Sequence, residues 1–181
     1  MTPGKPEASP DQNAVRAIAW GGLLCGVLDI AYAFALYGSL GVRSLRLLQG
    51  IASGLLGRSA FQGGAKTAAL GLFLHFLISF TAAAVYYLAS RRLAFMVRNA
   101  IRSGLLYGVA VYFFMNYMVI PLSAIHRQPF NFGLFVVNLI EHMLLVGLPI
   151  ALATRKFAGE SSERRWKRKA ETPNLGTVKS A

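Results

Sequence analysis

A chain of 181 residues with 55% hydrophobic and only 14% charged side chains is too apolar for an ordinary soluble domain and too short for more than one helical bundle. A net charge of +12 would suit nucleic acid on a soluble surface, but these Lys and Arg residues flank apolar runs, so no nucleic-acid partner is expected and anionic lipid headgroups are favoured instead. Cys25 is the one cysteine, which excludes an intrachain disulfide.

In chain order, residues 1–13 are polar and Pro-rich and read as a disordered lead. From Ala17 to Val42 the only acidic or basic side chain is Asp29, and residues 15–37 read as a first membrane span. Ala31-Tyr32-Ala33 resembles a leader-cleavage site, but the apolar run is long and carries an acid, so the segment is expected to be retained. Between residues 42 and 57, Val42, Leu45, Leu48, Ile51, Ala52 and Leu55 recur at helical spacing opposite Arg43, Arg46, Gln49 and Ser53. That pattern predicts an amphipathic helix lying in the membrane interface, followed by a Gly63-Gly64 turn.

Residues 67–90 form a second span, interrupted only by His75 and ended by Arg91-Arg92. A third, 103–120, is closed by Pro121, which cannot donate to a continuing helix. The fourth, 132–153, carries Glu141-His142, is expected to kink at Pro149 and stops at Arg155-Lys156. Each is close to the ~20 residues that cross the hydrocarbon. The predicted fold is therefore all-α, a polytopic four-helix bundle over residues 14–156 with one additional amphipathic interfacial helix between spans one and two, and a basic tail over 157–181.

Four spans put both termini on one side. Fourteen of the 19 Lys and Arg residues fall on that side, and the positive-inside rule makes it cytoplasmic for a multi-pass membrane protein. Trp20, Tyr86 and Tyr87 near the inner ends and Tyr37 and Tyr117 near the outer ends fit aromatic belts. In the tail, Arg164, Arg165, Trp166, Lys167, Arg168 and Lys169 form a flank suited to anionic headgroups.

Counted from the outer ends of the spans, Asp29, His75 and Glu141 each lie roughly 12 Å deep, with Asn116 somewhat shallower. A charge at mid-bilayer costs roughly 2.5 to 3.5 kcal/mol on insertion scales, so such residues have partners or a task. Gly22 and Gly26 precede Asp29 on one stripe, Gly71 precedes His75 with Ser79 one turn on, and Gly104, Gly108 and Tyr112 lead to Asn116. Small residues at this spacing bring helices together and turn the polar groups toward one another. Asp29, His75, Ser79, Asn116, Glu141 and His142 are the expected intramembrane polar site, one able to handle protons or a small solute.

Two alternatives use the same side chains. Asp29, His75, Glu141 and His142 are suitable ligands for zinc, non-haem iron or, through the two imidazoles, haem, although no spacing motif ties them to one helix. They could equally be interhelical glue, Asp29 with His75 and Glu141 with a hydroxyl or amide, in a structural or partner-binding subunit. Ser79 near His75 is the one candidate nucleophile, without recognisable catalytic context, so an enzyme is not expected.

His75-Phe76-Leu77-Ile78-Ser79 with Ala83 and Tyr86, Pro121-Leu122 and His142 together resemble the YagU-like group of small bacterial inner-membrane proteins, over roughly residues 21–156. The resemblance implies four inner-membrane spans and points to His75 and His142 as shared positions. Acids at Asp29 and Glu141, and Asn116 where the group favours His, depart from its pattern.

Overall fold

A computed structural model describes residues 10–124 and 130–157. The fold is an all-α bundle, with no strand among the described residues. Helix α1 spans Pro10–Ser39, α2 Ser44–Leu56, α3 Gly64–Arg92 and α4 Ala94–Arg98. Helices α5 (Ala100–Leu122) and α6 (Phe132–Phe157) follow, and α1, α3, α5 and α6 are long and apolar enough to cross a membrane. The chain thus has the architecture of a multi-pass membrane protein. The basic run at 164–169, and Arg127, lie outside the described residues.

Neighbouring long helices run antiparallel: α1 packs against α3 and α6, and α5 packs against α6. Glycine at the crossings is what permits this. A methyl group at Gly22 would strike the Phe80 ring of α3, and one at Gly108 would collide with the His142 carbonyl of α6. The reverse faces carry exposed Leu24, Val27, Phe73, Leu77, Leu106 and Ile140, an apolar exterior suited to acyl chains.

At the α4 end the bundle is solidly packed, around Cys25, Ala83, Tyr86, Met96, Val146 and Ile150. Here two expectations are corrected. Tyr86 and Tyr87 are buried, not belt residues, because the short α4 folds back beneath them. The Tyr86 hydroxyl lies 2.9 Å from Ser103 Oγ and donates to the Met96 carbonyl at 3.2 Å. Trp20 and Tyr117 do stay exposed. Residues 10–13 of the expected lead are instead helical: α1 starts at Pro10, and Asn13 is buried in its first turns.

The helix between spans one and two forms, but its faces are used differently from the expectation. Gln49, Ala52 and Ser53 are buried against α3, whereas Leu45, Leu55 and Leu56 point outward. The Gln49 amide donates to the Gly64 carbonyl at 3.1 Å, and Gly71 has no Cβ where the Leu48 carbonyl of α2 presses on α3. The Ala124 amide donates to the Gly54 carbonyl at 3.1 Å. Helix α2 therefore lies across the end of the bundle from α3 toward the end of α5. It leaves through Gly57 at φ 60° and a 3-10 turn at Gly57–Gln62, and α3 opens on Gly64 at φ 58°. Both are left-handed conformations that favour glycine.

Both prolines are preceded by widened turns. A π-helical turn at Met115–Val119 comes before Pro121, and α5 continues to Leu122 instead of stopping at the proline. A second, at His142–Gly147, comes before Pro149. A proline ring clashes with the carbonyl four residues back and cannot bond to it, and a wide turn is one way to absorb that defect.

Candidate functional site

Beneath α2 the bundle forms a half-open cavity of about 640 Å³. From α1 it is lined by Cys25, Asp29 and Tyr32, from α3 by His75 and Ser79, and from α5 by Tyr112 and Asn116. Helix α6 adds Asn138, Glu141 and His142. Leu47, Gly50, Ile51 and Gly54 of α2 close the end away from the packed core. All six residues of the sequence-derived polar layer thus border one space, contributed by four helices.

The two histidines are each tied to the protein by one ring nitrogen. His75 Nε2 donates to the Gly26 carbonyl of α1 at 2.8 Å, and the missing side chain of Gly26 leaves room for the Phe76 ring and Ser79 Oγ of α3. Its Nδ1 then faces the cavity, 3.9 Å from Asp29 Oδ2. His142 Nδ1 lies 3.0 Å from the Asn138 carbonyl and 2.5 Å from Glu141 Oε2. With Nδ1–H so engaged, Nε2 is the nitrogen left to accept a proton. The Tyr112 ring meets the His142 ring edge to face at 5.2 Å and fixes its plane.

Adjacent side chains on an α-helix diverge by about 100° and do not face each other. Glu141 and His142 nevertheless pair, at the point where the helix passes into the π turn that begins at His142. Asn116 sits in the other π turn, with its amide donating to the Tyr112 carbonyl at 2.9 Å.

The carboxylates differ in setting. Asp29 keeps 26% of its side-chain exposure. Glu141 is 5% exposed, and its Oε1 is buried without a hydrogen-bond partner among the described residues. Asp29 and Glu141 line the same cavity, from α1 and α6. One half of the glue reading matches the contacts, Asp29 with His75. The other does not, since Glu141 turns to His142 instead of to a hydroxyl or amide.

Ser79 is not arranged as a nucleophile: its hydroxyl donates to the His75 carbonyl at 2.9 Å, not to the imidazole. Among the described residues no three His, Cys, Asp or Glu side chains group to hold a metal ion. The donors come as two pairs, Asp29 with His75 and Glu141 with His142.

Residues beyond the expected site also line the space. Cys25 and Tyr32 lie four before and three after Asp29, the spacing of one helix face, and this was the signal available for them. The Tyr32 hydroxyl reaches Asn138 Oδ1 at 3.5 Å and links α1 to α6. Nothing in the sequence marked Gly50 and Gly54 of α2 as part of the wall. Comparison with family models, with curated proteins and with solved structures returns no match.

Proposed function

We propose that the cavity takes up and releases protons within the membrane, alone or together with a small polar solute. The observation that carries the reading is Glu141: a buried carboxylate with one oxygen unpartnered, bonded to His142, on the wall of a cavity that Asp29 also lines. Leaving such a group unsatisfied costs free energy that a purely structural contact would avoid. Each imidazole holds one nitrogen against the protein and turns the other toward exchange, the arrangement of a relay.

In this reading the protein sits in a bacterial inner membrane with both termini cytoplasmic, and the cavity belongs to the outer half. The basic run Arg164 to Lys169 attaches to anionic headgroups. Four spans make a thin wall around a path, so the working form is a homo-oligomer.

The test is proton flux into liposomes that hold a pH-sensitive dye, driven by a potassium diffusion potential. The wild-type protein is expected to acidify the lumen faster than empty vesicles, and Glu141→Gln or Asp29→Asn to return the rate to background while eluting as the same species. Wild-type flux equal to that of empty vesicles, or full flux in both variants, would remove the reading.

A further inference from the structure

The cavity has a charge character that proton exchange alone does not use. Its wall holds two carboxylates, from α1 and α6, and among the described residues no Lys or Arg lines it. The other titratable groups facing it are His75 from α3, His142 from α6, Tyr112 from α5, and Cys25, Tyr32 and Tyr37 from α1. Helix α2 contributes only Leu, Ile and Gly, without charge.

Two carboxylates on the wall of one cavity repel each other unless a cation lies between them. Glu141 Oε1 is buried and has no protein partner to supply that charge. Tyr32, Tyr37 and Tyr112 also line the space, and aromatic rings attract desolvated ammonium groups. The space also falls within the ~300–1,000 Å³ typical of small-molecule sites.

We infer that the cavity is a binding site for a small organic cation of the ammonium class, held between Asp29 and Glu141 against tyrosine rings. This rests on the reading that the same carboxylates exchange protons. Binding is then a displacement: a proton held at the cavity carboxylates leaves to solvent, and the ammonium takes its place. Only an O–H bond breaks, and the net charge of the site is unchanged.

The experiment uses the full-length protein in detergent with isosteres that differ in charge: trimethylphenylammonium, neutral tert-butylbenzene and anionic benzoate. Calorimetry in a weakly buffered solution with a pH indicator reads affinity and proton release together. The expected result is at least tenfold tighter binding of trimethylphenylammonium than of tert-butylbenzene, no binding of benzoate, and about one proton released per cation. Glu141→Gln is expected to lose the charge preference and the proton release, Asp29→Asn to weaken both, and Glu141→Asp to restore part of each.

Equal binding of the charged and neutral probes, preference for benzoate, or no cation binding by the wild-type protein would overturn the inference. So would a charge preference intact in both Glu141→Gln and Asp29→Asn. Proton flux in liposomes without cation binding defeats this inference alone. Cation binding with proton release but without flux defeats only the transport reading.

Discussion

The two ends of the bundle treat polar groups in opposite ways. At the α4 end, the Tyr86 hydroxyl, Ser103 Oγ and the Met96 carbonyl bond to one another, Ser90 donates to the Tyr87 carbonyl at 2.7 Å, and Tyr107 donates to the Ala82 carbonyl at 2.7 Å. At the α2 end, Glu141 keeps a buried oxygen unpartnered, and the charged groups stand around a space instead of filling it. Polar groups that satisfy one another stabilise helix packing, and those left over are available to something else. Burial alone would not separate the two ends, because Tyr86 and Glu141 are both nearly inaccessible.

The comparison breaks first under a change of volume. At the close-packed crossing of α5 and α6, a Cβ at Gly147 would meet the Gly104 carbonyl and the Gly108 backbone. Backbone cannot move aside as a flexible side chain can. Gly147→Val is therefore expected to cost about 3 kcal/mol or more, seen as loss of the monodisperse peak after detergent extraction. A well-folded variant would mean that α5 and α6 are not packed in this way.

A second variant separates task from glue at the α2 end. His75→Ala removes one hydrogen bond, to Gly26, of a kind that averages about 0.6 kcal/mol between membrane helices. Proton flux is expected to fall at least tenfold while stability in mixed micelles shifts by less than about 1.7 kcal/mol. Unchanged flux with a large stability loss would make His75 a structural residue.

How far the sequence reached follows the same division. The inward faces were legible because small residues repeat every four positions, Gly22 and Gly26 on α1 and Gly104 and Gly108 on α5, and counting along each span put Asp29, His75 and Glu141 at one depth. Helix α2 was legible as a helix but not in its orientation: periodicity separates its faces without saying which one meets protein. In a membrane the apolar face can meet lipid while small and polar residues pack, as Gln49, Ala52 and Ser53 do. Tyr86 was misread because its place near a span end said nothing of α4 folding beneath it. Pro121 was read as a break and Pro149 as a kink, whereas the wide turns before them hold Asn116 and His142.

Tyr86→Phe sharpens the contrast from the packed end. The ring and its edge-to-face contact with Tyr107 at 5.0 Å are kept, and only the hydroxyl is lost. Ser103 Oγ still donates to the Met96 carbonyl at 2.9 Å, so no acceptor is abandoned. The expected loss is about 0.6 to 1.7 kcal/mol in micelle denaturation, with proton flux unchanged. Lower flux would show that the two ends are coupled.

The smallest effect belongs to Gly50→Ala. Gly50 lines the cavity from within α2, and a Cβ there meets nothing within 4 Å. Alanine restricts the unfolded chain and favours helix, worth up to about 1 kcal/mol, and here it meets no opposing clash. A slightly higher thermal midpoint is expected, with flux within about twofold of wild type, since one methyl group takes little of the space. The same change at Gly71, where the Leu48 carbonyl already occupies the place, is expected to lower the midpoint. If both substitutions acted alike, α2 would not lie over the cavity with one open and one sealed side, and the α2 end would lose the roof that distinguishes it from the packed end.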